Sequence, residues 1–326
     1  MNSSALPSSP RVLVTGATGF IGRELMSAAR SLDLRAALRR ACVVAGAAES
    51  VIVGEIDGRT DWTSALEGID SVVHLAARVH VMKPTASDVE QFERTNVIGT
   101  ERLALAAAKT GVKRFVFLSS VKVNGETTEG RAFRADDPPG PLDDYGRSKL
   151  EAERRLLHVA AQSAMRIAII RPPLVYGVGV GANFRRLLSW TARAAPLPLA
   201  SIANARSMVS VWNLCDLIVS ILRRPEGIGG TFMVSDGEDI STPDLIRRLA
   251  ASMQRPTRLL PVPVGLLRAV GVLTGKSAEL KRLCESLAVN IDDTRARLAW
   301  SPPMTLDQGL DRTAQWYLHE TSAGRL

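Results

Sequence analysis

Histidine, cysteine and aromatic residues are all scarce in this chain of 326 residues, which holds 4 His, 3 Cys and only 5% Phe, Trp and Tyr together. Cys42, Cys215 and Cys284 are far apart, odd in number and without C-x-x-C spacing. That pattern excludes a disulfide framework or a zinc ribbon and fits reduced thiols in a cytoplasmic protein. The histidines show no metal-ligand spacing, so no metal is expected. No apolar run reaches the roughly 18 residues of a membrane span. The opening stretch MNSSALPSSP has neither a basic start nor an apolar run, so residues 1–10 are expected to form a disordered tail and not a signal peptide. A formal charge of +8 raises the question of nucleic acid. The basic pairs at 154–155, 185–186, 223–224 and 247–248 are scattered and not interleaved with aromatics, so they read as solvated helix faces and no nucleic-acid partner is expected.

Apolar residues make up 46% of the chain, enough for a large core, and their spacing is that of an α/β protein. Val12, Leu13 and Val14 form a short buried-strand run that stops at Thr15-Gly16, and Phe20, Ile21, Glu24, Leu25 and Ala28 follow at helical spacing. Gly16, Gly19 and Gly22 therefore lie in a turn between a strand and a helix N-terminus. There they allow a tight turn, close approach of a pyrophosphate and close helix packing. Further strands are expected at 34–38, 51–53, 71–75, 114–119 and 166–170, and helices at 88–109 and 145–163. The alternation implies a Rossmann-type doubly wound parallel sheet with a smaller C-terminal substrate-binding lobe. The boundaries are 11–175 plus about 209–234 for the dinucleotide-binding domain, and 176–208 with 235–326 for the lobe. The apolar segment 262–273 is expected to be a packed helix of that lobe in preference to a membrane-surface helix.

Tyr145 and Lys149 are four residues apart at the start of the second long helix, on one face. A nearby ammonium lowers a phenol's pKa toward neutrality, which suits proton transfer. Ser120, at the end of the fifth strand, is placed to hydrogen-bond the same substrate oxygen, and Asn96 to lie in a helix beside the cofactor.

TGATGFIG, HLAA from His74, NVIGT, LSS, YGRSK and RPPLVYG stand in the order and approximate spacing of the extended short-chain dehydrogenase/reductase family, the NAD-dependent epimerases and dehydratases. The chain resembles that family over most of its length. The resemblance implies catalysis by Ser120, Tyr145 and Lys149. It implies cofactor contacts by Gly16, Thr18, Gly19, Phe20, Ile21, Arg39, Arg40, Glu55, Ile56, Leu75, Ala76, Ala77, Asn96, Ser119, Tyr145, Lys149 and Pro172. Asn183, Arg206 and Arg282 resemble the residues that hold a UDP-sugar, and a homodimer through the 88–109 and 145–163 helices is expected. His74 reads as a packed strand residue.

Three departures refine the expectation. Val121-Lys122 stands where the family's dehydratases carry Asp-Glu, Asn124 where its epimerases usually have Tyr, and Arg39-Arg40 where an Asp or Glu commonly holds the adenosine ribose. The two arginines predict NADP(H) as the preferred cofactor, with NAD(H) possible. They tilt the reading toward reduction of a UDP-4-keto-6-deoxy-(N-acetyl)hexosamine in surface polysaccharide biosynthesis. The alternatives are a UDP-glucose/UDP-N-acetylglucosamine 4-epimerase and, more remotely, a dinucleotide-sensing module, against which the intact Ser120, Tyr145 and Lys149 set argues.

Overall fold

The structure, a computed structural model, describes residues 10–79, 85–224, 227–275 and 277–325; the tail expected at 1–10 lies, apart from Pro10, outside the described residues. In chain order the elements are β1 (Arg11–Thr15), α1 (Phe20–Ala28), β2 (Asp33–Leu38), β3 (Glu49–Ile52), α2 (Thr63–Leu66), β4 (Ser71–His74), α3 (Ala86–Phe92), α4 (Thr100–Lys109), β5 (Arg114–Leu118), α5 (Asp144–Ala161) and β6 (Arg166–Arg171). There follow β7 (Leu174–Tyr176), α6 (Ala182–Ala192), β8 (Arg206–Ser210), α7 (Val211–Leu222), β9 (Gly230–Met233), β10 (Asp239–Ile240), α8 (Thr242–Ser252), α9 (Val264–Leu273), α10 (Ser277–Cys284), α11 (Asp292–Leu298) and α12 (Leu306–Ser322).

A seven-stranded sheet runs β3-β2-β1-β4-β5-β6-β9, and its pairings from β3 to β6 are all parallel. The order reverses between β1 and β4, the crevice where open sheets of this kind bind ligands. Strands buried on both faces need continuous apolar runs, and β1, β4 and β5 have them. Leu13, Phe115, Phe117, Leu103, Leu156 and Trp62 build the core on one face of this sheet. Arg35, inside β2 and 6% exposed, donates to the carbonyls of Ser64, Ala65 and Glu67 at the end of α2. The orphan acceptors of a helix C-terminus explain a buried cation in a strand.

The helix expected at 88–109 is not one regular element. Between α3 and α4, Glu93–Gly99 is a π-helical stretch. A Cβ at Gly99 would meet Ile56 Cγ2 at 2.8 Å, so the helix backbone rests directly on the loop after β3. Such π stretches often mark functional positions.

The chain divides into two compact units: Met1–Gly125, Pro138–Arg171 and Cys215–Phe232 form the first, and Glu126–Asp137, Pro172–Leu214 and Met233–Leu326 the second. Residues 126–137, read from the sequence with the first domain, lie in the second unit for a backbone reason. Thr128 N donates to Ser286 O at 2.9 Å, Phe133 N to Ala288 O at 2.9 Å, and Asn290 N to Phe133 O at 2.8 Å. Within the second unit, β10-β8-β7 form a small sheet. The Tyr176 hydroxyl donates to Asp236 at 2.7 Å and Asn213 donates to the same carboxylate at 2.6 Å, so these buried polar groups satisfy one another. Among the described residues, no helix is long and apolar enough to cross a membrane.

Candidate active site

The glycine turn is built to keep side chains out. Gly16 has φ +71, where an added Cβ would stand 2.7 Å from Ala76 N, and a Cβ on Gly22 would stand 2.1 Å from Gly16 O. Gly19 caps α1, and its N–H donates to Gly16 O at 3.0 Å. The first N–H groups of α1 have no intrahelical acceptor, and the positive end of the helix dipole lies with them, the chemistry a pyrophosphate needs. Thr18 is exposed, and Phe20 and Ile21 are half-buried beside the turn. Leu75 and Ala76 follow β4, their N–H groups donating to Thr15 O at 3.3 Å and Thr15 Oγ1 at 3.2 Å, with Ala77 half-buried behind them.

At the end of β2, Arg39 and Arg40 are both exposed, but the acid missing there is supplied by the loop that follows β3. Glu55 approaches Arg39 to 3.5 Å. The arginine pair is therefore not an acid-free anion site as the linear sequence indicated.

Tyr145 opens α5. Asp143 caps the helix by accepting from Gly146 N at 2.7 Å and also pairs with Lys122. The Tyr145 ring meets Phe92 edge-on, with centroids 6.2 Å apart. Lys149, one turn along, is buried, donates to Leu118 O at 2.8 Å and lies 4.5 Å over the Phe117 ring. Burial pulls the Lys149 ammonium down to about 7, against the opposing pull of the Glu153 carboxylate. Burial pushes the Tyr145 phenol up, and the charge of Asp143 adds to the rise. The expectation that Lys149 lowers the phenol's pKa is corrected, because desolvation and the Asp143 charge both raise it and Leu118 O engages the ammonium.

Ser119 and Ser120 have different roles. The Ser119 hydroxyl donates to Glu153 in the interior, whereas half-buried Ser120 accepts from Lys122 N at 3.2 Å and keeps its own proton to offer. Asn124, 5% exposed, accepts from Arg171 Nη1 at 3.0 Å. Asn96 lies in the π-helical stretch. It accepts from Arg78 N at 2.8 Å and donates to Arg78 O at 3.1 Å and Ser148 Oγ at 3.0 Å, so it clamps the segment after β4. His74 is fully enclosed between Thr15 Oγ1 at 2.7 Å and Thr100 Oγ1 at 2.9 Å, stacked on Phe117, and its pKa is driven to about 3 by burial and by Lys149.

In the second unit, Asn183, Arg206 and Arg282 line one cavity of about 150 Å³, whose apolar wall includes Phe184, Trp190 and Met208. Arg206 Nη1 donates to Arg282 O at 2.8 Å and Glu285 O at 2.9 Å. Burial and the neighbouring Arg282 charge lower its pKa, a strain that a diphosphate would relieve. Pro172 also lies in this unit and is buried.

The sequence pattern of the NAD dependent epimerase/dehydratase family matches residues 12–234. The chain belongs to this family. Its relatives include the UDP-glucose 4-epimerase of Vibrio cholerae, 42% identical over 319 residues and covering 94% of this chain and 95% of that one. The N-acetyl-alpha-D-glucosaminyl-diphospho-ditrans,octacis-undecaprenol 4-epimerase of Escherichia coli O157:H7 is 28% identical over 326 residues, 94% of each chain. A solved structure of MoeE5 in complex with UDP-glucose and NAD has a TM-score of 0.75 and 26% identity, covering 95% of this chain and 99% of that one.

For a member of the NAD dependent epimerase/dehydratase family, two site-supporting residues went unread in the sequence. Glu153 is four residues beyond Lys149 and so on its face, a signal present in the spacing. Arg171, in the RPPLVYG motif, is its buried partner.

Proposed function

We propose that this protein is a UDP-sugar 4-epimerase acting on UDP-glucose or UDP-N-acetylglucosamine. The observation that carries the reading is the 42% identity to a UDP-glucose 4-epimerase over 94% of the chain. The competing expectation, reduction of a 4-keto sugar, rested on Arg39 and Arg40 at a site without an acid, and Glu55 at 3.5 Å from Arg39 takes away that support.

The turn leaves no room for a Cβ at Gly16 or Gly22 and fits a pyrophosphate, so it and the N-terminus of α1 would hold NAD, with Glu55 available to accept from a ribose hydroxyl. Bound NAD supplies a hydride acceptor and donor and, in its oxidised form, a positive charge. Tyr145 would take the proton from the sugar's 4-hydroxyl and give it back after the keto sugar has turned its other face. Ser120 would hold that oxygen, and Lys149 would bind a ribose hydroxyl of the cofactor beside the phenol. Arg206 and Arg282 would carry the diphosphate and Asn183 the nucleotide. Val89, Ile98, Leu105 and Leu157 are exposed apolar residues between 88 and 163, which supports a homodimer through those helices.

The test is to incubate purified protein with UDP-glucose and with UDP-N-acetylglucosamine and follow the galacto products by NMR. Interconversion without net cofactor turnover is expected. Stoichiometric oxidation of NADPH or NADH with a 4-keto UDP-sugar, and no interconversion, would overturn the reading in favour of a reductase.

A further inference from the structure

Helix α9 is apolar on two opposite sides. Leu267 and Gly271 are buried, and Gly271 sits against α10, where a Cβ would come within 2.7 Å of Leu280 Cδ1. On the other side Leu266, Ala269, Val270 and Leu273 recur at three- and four-residue spacing and are all exposed, Leu266 at 56% and Leu273 at 86%. Val272 on the same helix and Leu260 just before it are exposed as well, at 71% and 50%. A helix on the surface of a globular protein normally turns charged residues outward, and a helix apolar all round normally has cover all round. Among the described residues, this one has cover on a single side.

The charge of the chain segment that carries α9 identifies what fits the stripe. From Leu245 to Ala278 the chain contains no Asp or Glu. Arg255, Arg258 and Arg268 in that stretch are exposed. A second copy of this chain would bring cations to face cations. An anionic lipid surface matches both features, because leucine and valine side chains enter the acyl boundary while arginines meet the headgroup phosphates. At ten residues α9 is too short to span a bilayer, so it would lie in the interface.

We infer that the exposed face of α9 docks this protein on an anionic membrane surface. The inference is independent of the epimerase reading. The whole protein should co-sediment with vesicles of phosphatidylcholine containing phosphatidylglycerol, more weakly with phosphatidylcholine alone, and less as salt is raised. L266E/L273E should lower partitioning about tenfold or more. R268Q should lower it about fivefold, the effect of one surface cation. Both positions of the double variant are exposed, so its circular dichroism should match the parent, and L273S provides a milder variant that should also bind less well. Absence of co-sedimentation with either vesicle would overturn the inference, as would L273S and L266E/L273E binding as well as the parent. A vesicle-independent dimer that L266E/L273E dissociates would assign the face to a second copy instead.

Discussion

Glu153 grips Arg171 with both carboxylate oxygens inside the first unit: Arg171 Nε meets Oε1 at 3.0 Å and Nη2 meets Oε2 at 2.5 Å, with the side chains 3% and 7% exposed. Ser119 donates to the same carboxylate and Asn124 accepts from the same guanidinium. The end of β5, the middle of α5 and the end of β6 are thereby tied together directly behind Ser120 and Lys149. Removing one partner strands the other as a buried charge. Glu153→Leu or Arg171→Met should cost about 3–5 kcal/mol, and the double variant less than either single change. Urea unfolding of the purified variants measures this, and single variants within error of the parent would contradict it.

Tyr145→Phe keeps the ring against Phe92 and removes only the proton carrier. Turnover should fall about a hundredfold or more with the melting temperature unchanged. Activity close to the parent's would take Tyr145 out of the chemistry.

Glu55 beside Arg39 should favour NAD(H) over NADP(H), since a carboxylate accepts from a ribose hydroxyl and repels a phosphate. Glu55→Gln frees Arg39 and should shift the ratio of the two dissociation constants toward NADP(H) by about tenfold, the effect of one charge-assisted hydrogen bond. Titration of both cofactors against parent and variant reads the shift. An unchanged ratio would remove Glu55 from cofactor choice.

Arg206 and Arg282 share a cavity of the second unit, and the backbone carbonyls at 282 and 285 hold the Arg206 fork in place. Arg206→Ala should weaken UDP binding by about 10- to 100-fold in calorimetry, as expected for lost hydrogen bonds to a charged group. Equal binding by the variant would place the diphosphate elsewhere.

His74 sets an acid limit on stability. Its folded pKa is about 3, against an ordinary value of 6.5, because burial disfavours the imidazolium. A depressed pKa means that the unfolded chain binds the extra proton, so the His74 contribution is complete above pH 6.5 and is lost as pH falls toward 3. His74→Gln should flatten the pH dependence of the urea midpoint over that window. A slope identical to the parent's would show that His74 is not its source.

What the sequence by itself determined was local or periodic. The run Val12–Val14, the three glycines and the helical spacing after them specify strand, turn and helix through steric rules that act within a few residues, and the turn leaves no space for a Cβ at Gly16 or Gly22. Tyr145 and Lys149 share a face because 3.6 residues make a turn. Tertiary structure decided everything that depends on distance along the chain. It brought Glu55 of the loop after β3 to Arg39 at the end of β2, which changes the chemistry of a site that looked purely basic. It stitched residues 128–133 to 286–290 through backbone bonds that carry no side-chain signature. It also desolvated Tyr145 and Lys149, which reversed the expected shift of the phenol, since burial penalises a charge by an amount that spacing alone does not encode.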